Sequence, residues 1–244
     1  MTPTVLVTPV ELDVADLVVE GDAYRHLFRA ARAARGDAVR AVDGRGRARW
    51  GEVVRVESRR AVVRLGAAGP SLEPRIGVEL LVGAPRPSRA SWLVEKGTEL
   101  GVRAFRFLAC ERAQRELDAA ALERLRRVAR AAVEQCGRSW LPEVTAARGI
   151  EEAIGELGGL DGAAAFVLDP AADAEPQWLA GGSAERAVLL IGPEGGFTPA
   201  EIDAASRLGA APMRLVPSLL RVETAALAAA AWVLLQGECS GARF

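Results

Sequence analysis

Residues 187–201 read AVLLIGPEGGFTPAE, and the fold class turns on them. The apolar run is too short for a typical helix, and it meets the glycine-rich loop Gly192-Pro193-Glu194-Gly195-Gly196-Phe197. Thr198-Pro199-Ala200-Glu201 then forms a capping-box signature with proline at the first helical position, so a helix runs from there to about Leu208. A short, continuously apolar strand feeding a helix belongs to a parallel sheet covered on both faces. The runs at 78–84, 105–109, 163–169 and 213–217 have the same character. Between them, residues 88–100 have helical spacing and stop at Gly101. Residues 118–136 are amphipathic: Leu122, Leu125, Val128, Ala132, Val133 and Cys136 share a stripe, the opposite face carries Arg124, Arg126, Arg127 and Arg130, and Gly137 ends the helix. A last helix begins near Glu223. The pattern is α/β.

Upstream the pattern differs. The stretch GAAGPSLEP, residues 66–74, breaks all periodicity. Before it, residues 39–42, 48–56 and 61–65 read as short strands, with the turn DGRGR (43–47) as a hairpin signal between the first two. A short helix over 24–34 precedes them. Two domains are expected, a small β-rich one over residues 1–70 and an α/β one over 75–244.

Composition narrows the function. Half of the 244 residues are hydrophobic, enough for a substantial core. No apolar window is long enough to span a membrane, and MTPTVLVTPVELD lacks the basic segment of a signal peptide. Three scattered cysteines, Cys110, Cys136 and Cys239, support neither a disulfide framework nor a metal site. A reduced, cytoplasmic protein is expected. The net charge of −1 hides a strong asymmetry: residues 24–64 carry twelve arginines against four acids, whereas 151–244 carry five against thirteen. A face that collects arginines can bind a polyanion although the whole chain is slightly acidic. His26 is the only histidine, no DxDxD-like cluster exists and no GxxxxGK[ST] occurs. Histidine-based triads outside the basic segment, metal catalysis and P-loop hydrolysis therefore fit poorly.

Two segments carry candidate chemistry. In the glycine-rich loop, glycines let backbone groups approach a ligand closely, at the carboxyl end of a strand where open α/β sheets bind ligands. A plain strand-to-helix turn would account for that loop equally well. In Leu215-Val216-Pro217-Ser218-Leu219-Leu220-Arg221-Val222-Glu223-Thr224-Ala225, a proline-stiffened loop enters the last helix. Arg221 and Glu223 lie beside an apolar run there, where charge is costly unless paired or used. Helix capping by Glu223 or Thr224 is the structural alternative.

Together, GPEGGF-x-x-x-E and L-x-P-x-x-LR-x-ETA resemble the C-terminal signature of the ribosomal small-subunit methyltransferase E family. Glu95-Lys96-Gly97-Thr98-Glu99-Leu100-Gly101-Val102 is similar to that family's K-x-x-ELGV segment. Glu134-Gln135-Cys136-Gly137-Arg138 with Pro142 is similar to its EQ-x-x-R-x-x-x-P segment. His26, Arg32, Gly36-Asp37 and Asp43-Gly44 resemble its N-terminal domain. The family has glycine where Val216 stands and threonine where Val222 stands.

The resemblance implies a SPOUT-type, trefoil-knotted, parallel-sheet methyltransferase domain preceded by a small PUA-like β-barrel domain. It implies S-adenosylmethionine as cofactor and methylation of uridine N3 in 16S ribosomal RNA, on the RNA or the small subunit, by a homodimer with no metal. Residues 225–235 are the candidate dimer surface. Cofactor contacts fall on Leu168, Gly192, Glu194, Gly195, Gly196, Val216, Pro217, Leu219, Leu220 and Thr224, with Asp169 beside them. Arg221 and Glu223 are the catalytic candidates. RNA contacts fall on Arg25, His26, Arg29, Arg32, Arg35, Arg112, Arg115 and Arg138. The rivals are a SPOUT enzyme acting on another RNA such as tRNA, a non-catalytic RNA-binding or assembly factor, and a small-molecule enzyme that uses the glycine loop for phosphate.

Overall fold

The structure, a computed structural model, describes residues 2–173 and 184–239. The chain divides into two compact units, one formed by Met1–Glu73 with Ala129–Leu141, the other by Pro74–Val128 with Pro142–Phe244.

The first unit is built on five strands, β1 (Thr4–Leu6), β2 (Asp16–Glu20), β3 (Ala38–Val42), β4 (Ala48–Val56) and β5 (Arg60–Ala68), with sheet order β1-β3-β4-β5-β2. The expected hairpin joins β3 to β4, and Asp43 closes its turn by accepting from the backbone N–H groups of Arg45 and Arg47. β2 was not foreseen, although its alternation of exposed and buried residues is regular. Short helical turns α1 (Pro9–Leu12) and α2 (Gly21–Tyr24) accompany these strands. In place of a helix over 24–34, α2 leads into a π-helical turn, Arg25–Ala30, where the Ala31 N–H reaches the carbonyl of His26. Widened turns of this kind interrupt regular helices and recur at functional sites. Arg32 follows with φ of 57°, the only non-glycine residue in the left-handed region among those described.

Residues 129–141 complete this unit: Val133 packs with Leu6, Val42 and Ala48. The half-buried carboxylate of Glu73 gathers Arg138 Nε and Nη2 at 3.0 and 2.6 Å and the backbone N–H groups of Ser139 and Trp140 at 2.8 and 2.9 Å.

The second unit holds six parallel strands: β6 (Gly77–Gly83), β7 (Val102–Leu108), β8 (Glu143–Ala147), β9 (Ala164–Leu168), β10 (Arg186–Ile191) and β11 (Ala211–Met213), in the order β11-β9-β10-β6-β7-β8. Five helices belong to it wholly or in part: α3 (Pro87–Leu100), α4 (Ala119–Cys136), α5 (Ile150–Glu156), α6 (Pro199–Arg207) and α7 (Val222–Cys239). The terminators behave as expected, since Gly101 and Gly137 have φ of 117° and 81°. α4 buries Leu125, Ala129, Ala132 and Val133 and leaves Arg124, Arg127 and Arg130 in solvent. β8 and α5 carry too few large apolar residues to announce themselves. The last strand ends at Met213 rather than 217, because it extends only as far as its pairing with Leu168 of β9. Cys110 and Cys136 are free thiols, and the side chain of Cys239 lies outside the described part. Among the described residues no helix is long and apolar enough to cross a membrane, and no cluster could hold a metal ion.

A carboxyl group of β6 in this sheet is mostly shielded from solvent. Burial pushes the Glu79 carboxyl up, against the pull of Arg186 and Arg106. Folded Glu79 therefore keeps its proton to higher pH than the unfolded chain does. Its contribution is complete at acid pH and is lost as pH rises through the raised value. Glu79→Gln should show a melting-temperature advantage over wild type that grows from mildly acid to neutral pH. A difference independent of pH would contradict this.

Candidate active site

Parallel pairing aligns the carboxyl ends of three strands: Ile191 lies opposite Leu168, and Leu168 opposite Met213. The loops that leave them, after 168, 191 and 213, surround a cavity of about 260 Å³. The crevice at the carboxyl edge of an open parallel sheet is where such folds place ligands.

The glycine loop is tightly determined. The Gly196 N–H donates to the carbonyl of Pro193 at 2.8 Å, closing a turn, and Gly196 takes φ of 69°. A Cβ on Gly192 would lie 2.6 Å from the backbone nitrogen of Phe197, so only glycine fits. At the end of β6, a Cβ on Gly83 would meet the Pro193 nitrogen at 2.5 Å. Arg112 Nη1 donates to the carbonyls of Gly195 and Phe197 at 3.2 and 3.3 Å. Phe197 is buried in the core, and the expected capping box forms, with Thr198 and Glu201 exchanging hydrogen bonds. The loop is thus pinned on both sides.

The second loop is open. Among the described residues, no backbone hydrogen bond involves Leu215 to Leu220, and Leu219 is 82% exposed.

Of the residues expected to contact a cofactor, Leu168, Gly192, Glu194, Gly196, Val216, Leu219 and Leu220 line this cavity, as do Asp169 and Arg221. Gly195, Pro217 and Thr224 do not line it. The Asp169 carboxylate accepts from the N–H of Ala171 at 2.9 Å, and its own N–H donates to the carbonyl of Met213. Val216 faces the cavity and is partly exposed. Arg221 is exposed, and its guanidinium makes no hydrogen bond or ion pair among the described residues. Glu223 stands in the first turn of α7, 7% exposed and outside the cavity wall. Its partner is Arg89 of α3, whose Nη1 lies 3.5 Å from Glu223 Oε1.

Arg89 lines the cavity and was missed from sequence. The available signal was its place in the first turn of α3, which follows β6, the neighbour of β10, at the same edge of the sheet.

The expected RNA-contact residues separate. Arg29, Arg32 and Arg35 are exposed on and just after the π-helical turn. Arg25 pairs with Asp22, and His26 Nδ1 lies 3.7 Å from the Glu134 carboxylate. Arg115 is exposed, and Arg112 is committed in part to the glycine loop. Arg138 must be withdrawn. It is 4% exposed and its guanidinium is bound to Glu73, so no phosphate can reach it.

Comparison with known proteins agrees with this geometry. The family model described as an RNA methyltransferase domain matches residues 72–234. Ribosomal RNA small subunit methyltransferase E of Mycobacterium bovis is 32% identical over 179 residues, covering 70% of this chain and 66% of the relative. Its Bacillus subtilis counterpart is 27% identical over 172 residues, 67% of each chain. The chain thus spans about two thirds of the length of these relatives. A crystal structure of the Neisseria gonorrhoeae methyltransferase E, bound to S-adenosyl methionine, superposes with a TM-score of 0.87 at 23% identity, covering 97% and 98% of the two chains. A putative methyltransferase from Legionella pneumophila, in complex with the same cofactor, gives 0.79 at 25% identity, covering 97% and 98%. The cavity at the aligned ends of β9, β10 and β11 thus sits in a chain that belongs to the RNA methyltransferase domain family and, within it, to the ribosomal RNA small subunit methyltransferase E family.

Proposed function

We propose that this chain transfers a methyl group from S-adenosylmethionine to N3 of a uridine in 16S ribosomal RNA, with the cavity between the 192–197 and 214–221 loops as the cofactor site. One observation carries the reading. A pinned loop that tolerates only glycine at 192 faces a loop whose peptide groups make no backbone hydrogen bond among the described residues, and both line one cavity. That donor set suits a ligand held by backbone hydrogen bonds and apolar packing, with Gly192, Gly196, Val216, Leu219 and Leu220 around it. When bound, the cofactor supplies a sulfonium-activated methyl: the N3–C bond forms as the S–C electron pair returns to sulfur, and the N3 proton passes to water or a base.

The protein's part is to position the base and favour the charge that develops on it. Arg221 faces the cavity and Glu223 stands behind Arg89, so both act in or beside the chemical step. The finer features of the reading are a trefoil knot formed by the cofactor loops, a PUA-like RNA-docking domain over residues 1–70, a catalytic domain over 75–244 and a cytoplasmic homodimer. The exposed Leu235 supports 225–235 as its contact surface.

Cofactor binding is tested by titration. A ligand present at 100 times its Kd adds about 2.7 kcal/mol to the native state, so S-adenosylmethionine should raise the melting temperature clearly. No shift and no calorimetric heat would refute the site.

RNA docking is tested separately. Arg29→Ala with Arg32→Ala should weaken binding to 16S-derived RNA. The dependence of log affinity on log salt should flatten by roughly one for each phosphate no longer neutralised. Unchanged affinity and slope would place the docking surface elsewhere.

A further inference from the structure

We infer that Arg89 is the side chain that recognises the uracil ring, donating to one of its carbonyl oxygens, and that Glu223 is the positioning residue that holds it. The inference rests on the reading of the cavity as the site of methyl transfer to uridine.

Arg89 lies in the first turn of α3 and lines the cavity together with Gly192, Leu220 and Arg221. Its guanidinium offers five N–H donors. Among the described residues it makes no side-chain hydrogen bond, only the 3.5 Å ion pair with Glu223. Glu223 in turn is buried, and among the described residues its Oε2 has no hydrogen-bond partner. Arg89 is partly exposed, but a buried carboxylate kept only for stability would have its acceptors satisfied, and an apolar residue would serve as well. This one is left incomplete, and its arginine lines the cavity.

The charge balance selects the ligand. Glu223 already offsets the charge of Arg89, so Arg89 presents oriented donors more than net positive charge. A permanent carboxylate placed there would be repelled by Glu223, whereas Arg221, which has no acidic partner among the described residues, attracts one better. A neutral carbonyl suits Arg89. When uridine N3 loses its proton, negative charge spreads onto the flanking carbonyl oxygens, and a fixed guanidinium stabilises that state more than the neutral base. Cytosine has an amino group in place of one of those carbonyls and no proton on N3. A pocket of arginine donors therefore favours uracil.

The test compares the wild type with Arg89→Met, Arg89→Lys and Glu223→Gln. Three quantities are measured: S-adenosylmethionine affinity by calorimetry, relative affinity for uridine and cytidine 5′-monophosphate by ligand-observed NMR, and single-turnover methylation of unmodified small-subunit RNA at saturating cofactor. Arg89→Met should leave cofactor affinity within about twofold, abolish the preference for the uridine nucleotide, and slow methylation on the order of 100-fold. The rate should partly recover at alkaline pH, where N3 ionises unaided. Arg89→Lys keeps the charge beside Glu223, and so the fold, but loses the planar fork; it should also lose selectivity. Glu223→Gln should slow methylation by a smaller factor without changing cofactor affinity.

A rate deficit in Arg89→Met that disappears at high cofactor concentration would overturn the inference and assign Arg89 to the cofactor carboxylate. So would unchanged selectivity and rate in both arginine variants, which would reduce the pair to a surface contact. Failure of the wild type itself to methylate uridine would instead refute the proposed function.

Discussion

Gly192→Ala should lose S-adenosylmethionine affinity by at least about 100-fold, roughly 2.7 kcal/mol. The added Cβ would sit 2.6 Å from the Phe197 nitrogen and 2.9 Å from the Gly196 carbonyl carbon. Both obstacles are backbone, so no side chain can swing aside. Phe197 is fixed in the core, and the carbonyls of Gly195 and Phe197 are held by Arg112. Relief must come from displacing the loop, which opens the cavity wall. Overpacking of this kind costs about 1–3 kcal/mol of stability, so the variant should fold but melt earlier. Gly209→Ala is the control. Gly209 has φ of 104° and takes no part in the cavity, so its substitution should cost about 1–2 kcal/mol of strain and leave cofactor affinity intact. Calorimetry on both variants separates loss of the site from loss of stability. Equal affinity in Gly192→Ala and wild type would contradict the placement of the cofactor.

Glu73→Ala should destabilise the protein by about 3 kcal/mol, the low end of the range for removing one partner of a buried ion pair, since Arg138 is buried and Glu73 partly so. Arg138 would keep its buried position and lose this carboxylate, and the N–H groups of Ser139 and Trp140 would lose their acceptor. Glu73→Gln should cost less, because an amide oxygen still accepts. Both are measured by denaturant unfolding. RNA affinity of the folded fraction should stay at the wild-type value, since Arg138 is withdrawn from solvent. A drop in RNA affinity without a drop in stability would reverse the correction and return Arg138 to the RNA-contact set.

What was legible from sequence was local. The capping box at Thr198 and Glu201, the terminators Gly101 and Gly137 and the compact loop at 192–197 depend on residues within a few positions of one another. The hairpin at 43–47 is local too. What escaped depends on partners distant in the chain. The end of β11 follows its register with β9, and no periodicity in residues 211–217 encodes that. The motif containing Arg138 suggested an exposed cation, and only the fold brings Glu73 against it. Arg89 looked like one arginine among many until α3 and α7 set it beside Glu223. The π-helical turn at Arg25–Ala30 gives no distinct hydrophobic period, so that stretch reads as an ordinary short helix. The two loops that line the cavity were therefore visible early, while the charged groups around it had to be assembled by the fold.

The central claim is tested most directly by mapping the product. Purified protein is incubated with S-adenosylmethionine and small ribosomal subunits, or their RNA, from a strain deleted for this activity, and the digested RNA is analysed by mass spectrometry. The expected product is 3-methyluridine at a single position of 16S ribosomal RNA with the wild type, and none with Gly192→Ala. A methyl group on a ribose 2′-oxygen, methylation of transfer RNA instead, or RNA binding with no methyl transfer would contradict it.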